Sequence, residues 1–175
     1  MPSAPCASLA VLKSKTSFTR SPLPVSFLQE GKLLFLAPEY QGGLILQKPF
    51  YTDFVGPGAA IGSSFDRCCT AIYPLGVVNF RIPTAANERQ QAFRNRIRYS
   101  DRLAEIASIQ PVSRRAALIV AQLCEWVGVE EAQKIPLALI AQMAGVSTKT
   151  IQMTWEQRAD HCQFVAPKAI APFME

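Results

Sequence analysis

The chain has a single histidine, His161, and its five cysteines include no Cys-x-x-Cys pair. That leaves no usable ligand spacing for a zinc or iron–sulfur centre. A Gly-x-Ser-x-Gly elbow and a glycine-rich phosphate loop ending in lysine are both absent. With no constellation left to carry chemistry, neither an enzyme nor a cofactor is expected. No apolar run approaches the roughly 18 residues of a membrane-spanning helix, so no membrane partner is expected. Acidic residues are missing from positions 1–29, which carry Lys13, Lys15 and Arg20 among Ser, Thr and Pro. This composition fits a basic flexible arm over residues 1–26, and an organellar transit peptide has the same look. The odd set Cys6, Cys68, Cys69, Cys124 and Cys162 reads as reduced thiols in a cytoplasmic protein. The adjacent Cys68 and Cys69 read as strand filler, with a redox sensor as the alternative.

What is present is ample material for a core. Hydrophobic residues make up 49% of the 175-residue chain, charged residues 18%, and the net charge is +5. That balance suits a nucleic-acid partner without demanding one. Between Phe27 and Ile82 short apolar runs alternate with glycine and proline: Lys32–Ala37, Leu44–Gln47, Tyr51–Val55 and Thr70–Ile82. Such spacing predicts short strands of a small barrel or roll over residues 27–83. Gly42-Gly43 and the stretch Phe54 to Gly62 mark turns.

From Thr84 to about residue 110 the pattern becomes helical, with arginines at 89, 94, 96, 98 and 102. Phe93, Ile97, Ser100, Ala104 and Ala107 recur at spacings of four and three, a candidate seam for a partner helix. A surface helix packed on its own barrel fits that stretch nearly as well. From residue 111 onward Ser113 can cap a further helix, and Ala116, Ile119, Val120, Leu123 and Val127 mark its buried face. Gly128 should end it. One strand, Gln163–Val165, is predicted in the tail.

Residues 137–157, LALIAQMAGVSTKTIQMTWEQ, read as a helix-turn-helix. Ala141 is small where two helices cross. Gly145 stands where the backbone turns left-handed, Val146 plugs the gap, Ser147 caps the second helix and Ile151 anchors it. Such a pair places its second helix in the DNA major groove. Ser147, Thr148, Lys149, Gln152, Met153 and Glu156 would then face the DNA, on the side away from Ile151 and Trp155. Gln152 suits adenine, Thr148 and Met153 a thymine methyl, and Lys149 guanine or phosphate. Arg114 and Arg115 would add backbone contacts.

This order of parts resembles the cyclic-AMP-receptor/FNR superfamily of bacterial transcription regulators, over roughly Phe27 to Arg158. Residues 135–157 are similar to the family's Leu-Ala, Gly-Val-Ser turn and following Thr and Ile. Gly56-Pro57-Gly58 with Ile61-Gly62 is similar to the glycine turn of its sensory barrel. Asp101 to Ala104 followed by Ser113 to Ala116 is similar to the end of its long helix and the start of its DNA-binding domain. A shortened member, the cyanobacterial nitrogen-control type included, is what these matches describe.

The resemblance implies an α+β fold. A truncated cyclic-nucleotide-binding-like barrel or roll (27–83) would lead through a long dimerisation helix (84–110) to a helix-turn-helix, winged-helix-like domain (111–175). It implies a homodimeric regulator binding double-stranded DNA. Where nucleotide-binding relatives carry a glutamate and an arginine after the glycine turn, Ser63-Ser64-Phe65-Asp66 stands here, followed by Arg67. Cyclic-nucleotide gating is therefore not expected. Too little chain follows Arg158 for a full wing, and Lys168 is its only basic residue. The shortened parts leave a second reading open, a protein-interaction module docking on RNA polymerase or another regulator.

Overall fold

The structure is a computed structural model that describes residues 25–29 and 31–161. The basic arm, Cys6, Cys162, Lys168 and the strand expected at 163–165 lie outside the described residues.

The described chain is α+β, and six strands form two three-stranded antiparallel sheets. After a short helix, α1 (Ser26–Gln29), come β1 (Leu33–Leu36), β2 (Gly42–Gln47), β3 (Thr52–Val55) and β4 (Ala60–Gly62). A 3-10 turn, Ser64–Asp66, leads into β5 (Ala71–Gly76) and β6 (Phe80–Arg81). One sheet has the order β4-β1-β6 and the other β3-β2-β5. The sheets do not close into a barrel. The run expected as one strand over Thr70–Ile82 is two strands that belong to different sheets, because the chain leaves the first at Gly76 (φ 63°). β4 lies inside the stretch expected as a dense turn, where Ala60 and Ile61 pair with Phe35 and Leu34.

The sheet β3-β2-β5 is a middle layer, with a different core on each side. Strand residues alternate between faces, and the register sets Ile45 opposite both Phe54 and Tyr73, and Leu46 opposite both Asp53 and Ile72. Leu44, Leu46, Val55 and Ile72 pack inward against Leu34, Leu36 and Ile61 of the second sheet and against Leu28. Ile45, Phe54 and Leu75 pack outward into a core built mainly from helices. β2 and β3 are therefore buried along nearly their whole length. Continuous apolar sequence, not polar–apolar alternation, is the signature of such a strand.

The helices between residues 112 and 144 cover that outward face, while the long helix before them touches β3 and β4, one strand of each sheet. α2 (Ala86–Ser108) opens on a Glu88 carboxylate that accepts the Thr84 and Ala85 N–H groups. The bonds from Ala85 and then Thr84 hold the Glu88 pKa below the ordinary carboxylate value. α3 (Val112–Val127) buries the expected Ala116, Ile119, Val120, Leu123 and Val127, and Gly128 ends it at φ 84°. It begins one residue before Ser113. A short α4 (Val129–Gln133), which the sequence pattern did not indicate, leads into α5 (Leu137–Ala144) and α6 (Thr148–His161).

Three aromatic rings join the layers. Phe54 of β3 stacks on Trp126 of α3 with centroids 4.6 Å apart, and Tyr99 of α2 meets both rings edge-on at 5.5 and 5.2 Å. The boundary expected at residue 111 is thus bridged by one shared core. Glycines make the close approach possible, since a methyl group on Gly43 would overlap the Phe54 ring and one on Gly56 the Tyr99 ring.

Phe54→Ala removes a fully buried ring shared by sheet and helices, and should cost about 3–5 kcal/mol. Urea unfolding followed by the fluorescence of Trp126 and Trp155 and by circular dichroism measures the loss. Both probes should move together to the lower midpoint, because the two layers share one core.

Candidate nucleic-acid interface

α5, a tight turn and α6 form the element on which the functional expectation rests. Pro136 precedes the first turn of α5 and its carbonyl accepts the Leu139 N–H at 2.9 Å. Ile140 and Ala144 are fully buried, and Ala141 is 5% exposed at the crossing. The helix stops at Gly145, which adopts φ 60° and ψ 45°. The Ala141 carbonyl accepts the N–H groups of both Gly145 and Val146, closing the end of the helix. A left-handed residue at this point costs glycine little and other residues more. The space around Gly145 is open, so only the backbone conformation demands glycine there.

Ser147 caps α6, as its Oγ accepts the Thr150 N–H at 3.1 Å. Ile151 is fully buried against α3 and α5, while Val146, Thr154 and Trp155 are half-buried. Thr148, Lys149, Gln152, Met153 and Glu156 are exposed. Trp155 does not lie opposite that polar face. It sits at its border, where Gln133, Leu137, Gln152, Trp155 and Glu156 line an open groove of about 380 Å³. Within the exposed face Gln152 Nε2 donates to Glu156 Oε1 at 3.0 Å.

The two arginines of α3 have different surroundings. Arg114 is exposed. Arg115 is half-buried, and its guanidinium donates to the Ala107 carbonyl at 2.7 Å and to the Gly145 carbonyl at 3.3 Å. It ties the end of α2 to the turn before α6, so Arg114 is the better placed of the two for a phosphate.

The position of α5 and α6 on the body is fixed by polar bonds as well as by the core. Thr52 Oγ1 of β3 donates to Gln142 Oε1 of α5 at 2.6 Å, and the Gly76 N–H donates to Glu131 of α4 at 2.8 Å.

The seam expected on α2 is a separate stripe from the face α2 buries. Ala92, Arg96, Leu103 and Ile106 point into the body. Phe93 is 37% and Ile97 57% exposed, Ala104 is exposed, and Ser100 and Ala107 are half-buried. Phe93 also meets Phe65 edge-on at 5.7 Å.

A second cluster was not found by sequence reasoning. Lys48, Asp53, Asp66 and Arg96 are 4–7% exposed or fully buried. The Arg96 guanidinium meets Asp53 at 2.5 Å and Asp66 at 3.2 Å, and Lys48 meets Asp66 at 3.3 Å. Burial opposes the Lys48 charge, yet the Tyr51 hydroxyl and Asp66 together outweigh it and raise its pKa. Two cations and two carboxylates balance one another, which is what a buried ionic group requires. Asp66 also accepts the Gly62 N–H at 2.9 Å. The glycine turn's own donor is thus taken by an internal carboxylate, and Arg67 is exposed.

Of the adjacent cysteines, Cys68 is exposed and Cys69 is buried in the inner core. Burial, with Asp66 adding to it, pushes the Cys69 thiol up to about 11.

Comparison of the sequence with models of known protein families and with curated proteins finds no match. Among the described residues no helix is long and apolar enough to cross a membrane.

Two outcomes are expected. Arg96→Ala leaves the buried Asp53 without its cation and Asp66 with Lys48 alone, and should cost about 3–5 kcal/mol in urea unfolding at neutral pH. A cost below about 1 kcal/mol would show that the cluster is solvated. The thiolate is the reactive form, so at pH 8 the buried Cys69 should alkylate more slowly than the exposed Cys68 in peptide-level mass spectrometry. Equal rates would favour the redox reading.

Proposed function

We propose that the chain is a DNA-binding transcription regulator of the cyclic-AMP-receptor/FNR type, acting as a homodimer through α2. The observation that carries this reading is the α5–turn–α6 element, a helix-turn-helix in form. Its second helix is anchored by Ile151 and leaves Thr148, Lys149, Gln152, Met153 and Glu156 free to enter a groove. A second helix held in this way is what major-groove reading needs. Lys149 and Arg114 supply positive charge beside it, while the two three-stranded sheets stand in the place of the family's sensory roll. The exposed stripe through Phe93, Ile97 and Ala104 suits a second copy of α2. Recognition helices in such dimers read half-sites about 34 Å apart. With the Gly62 N–H already held by Asp66, the regulator works without a cyclic nucleotide.

The alternative, a docking module on RNA polymerase, draws on Phe50 and Tyr51, which are 92% and 50% exposed on the turn between β2 and β3. Co-purification with polymerase subunits in the absence of DNA, lost in Phe50→Ala, would favour it.

A gel-shift series with genomic fragments against random duplex DNA tests the first reading. The chain should select particular fragments, and Lys149→Ala should weaken binding and lower the slope of log affinity against log salt by about 1.8, about 0.9 for each half-site of the dimer. Ile97→Glu should give a monomer in sedimentation and lose the selected fragments. Binding no tighter than to random DNA and indifferent to Lys149 would sink the proposal.

A further inference from the structure

The exposed face of α6 contains one side-chain pair whose orientation chemistry alone decides. Gln152 and Glu156 stand one turn apart, and 3.0 Å separates Gln152 Nε2 from Glu156 Oε1. An ionised carboxylate only accepts hydrogen bonds. The amide must therefore turn its NH2 group, and not its carbonyl, toward Glu156. One N–H is used in that bond. The adenine-reading edge of the amide is its carbonyl oxygen with the N–H syn to it, and a bond to Glu156 through the anti N–H leaves that edge unused.

We propose that Glu156 is a positioning residue that makes Gln152 a reader of adenine. The inference rests on the DNA-binding reading above and adds to it which base is chosen and why. Adenine offers N6–H2 as a donor and N7 as an acceptor in the major groove, the complement of an amide carbonyl beside an amide N–H. Guanine offers two acceptors, N7 and O6, and the Gln152 carbonyl would face O6 with no proton between them. Thymine presents O4, again an acceptor. A glutamine free to turn over can present donors to guanine, whereas one held by Glu156 does so only by breaking its bond. Glu156 thus acts through Gln152 and needs no base contact of its own. Its negative charge near the phosphates is offset by Lys149 and Arg114, both exposed.

An exposed pair of this kind adds little to helix stability, so base preference and not melting temperature separates a positioning role from a solvated surface contact. The experiment is selection from a randomised duplex library with the full chain, comparing the wild type with Glu156→Ala, Glu156→Lys and the double variant Gln152→Ala/Glu156→Lys. The wild type should select adenine at one fixed position of each half-site. Glu156→Ala should lower its preference for adenine over guanine by about five- to tenfold, within the range of one bidentate contact, with an unchanged melting temperature. Glu156→Lys donates to the Gln152 carbonyl, turns the NH2 outward and should shift the preference to guanine. The double variant should lose that shift.

An adenine preference unaffected by Glu156→Ala, or a guanine preference that persists without Gln152, overturns the inference. If the wild type selects a site that Lys149→Ala weakens but Glu156 does not influence, this inference alone fails. If no sequence is selected and Lys149→Ala changes nothing, the DNA-binding reading fails and takes the inference with it.

Discussion

Burial of β3 on both faces is the constraint on which the rest of the structure depends. Three consecutive residues of that strand reach three different elements. Thr52 bonds Gln142 of α5, Asp53 holds Arg96 of α2 from the inner side, and Phe54 stacks on Trp126 of α3. Alternation along a strand makes this possible, since neighbours point to opposite faces. A one-residue slip would put Asp53 among the helices and Phe54 among the carboxylates. The paired register with β2, from Leu44 opposite Val55 to Gln47 opposite Thr52, holds the strand against such a slip.

From this follows the relation between the two halves of the chain. Two halves of a chain can be joined by a hinge or by a packed surface. Here the joint is packed: sheet and helices share one core, and the polar bonds from Thr52 and Gly76 reinforce it. Arg115 adds a third tie, from the end of α2 through Ala107 to Gly145. The stance of α6 relative to α2 is therefore set by the body of the protein and not by a free linker. For a dimer on α2 this matters, because half-site spacing depends on that stance.

The sequence made the local elements plainer than their placement. Gly145, Ser147 and Ile151 carry their roles in their own chemistry, as a left-handed turn, a cap and an apolar anchor, and each occupies the position that chemistry implies. The buried face of α3 and the apolar part of β2 were legible for the same reason, but Gly42 and Gly43, expected as a turn, open β2 opposite Gly76 and Leu75. β4 was not, because Ala60, Ile61 and Gly62 look like turn residues until β1 is beside them. The ionic cluster was hidden by distance in sequence. Asp53 and Arg96 are 43 residues apart, and nothing in either neighbourhood marks them as partners.

The two stripes of α2 show the limit of periodicity most clearly. The apolar spacing through Phe93, Ile97, Ser100, Ala104 and Ala107 is the more regular, yet the helix turns Ala92, Arg96, Leu103 and Ile106 into the body. A rule that looks for hydrophobic recurrence passes over the inner stripe because an arginine interrupts it. That arginine is buried since Asp53 and Asp66 wait for it, a fact of the sheet and the 3-10 turn, not of the helix. Once the inner stripe is spoken for by charge pairing and the aromatic contact of Tyr99, the outer stripe is left with Ile97 more than half exposed and Phe93 partly covered by Phe65. Ile97, in the middle of a helix of 23 residues, leaves more than half of its surface open to burial by a partner. A second copy would bury it, and would bring two α6 helices under one two-fold axis.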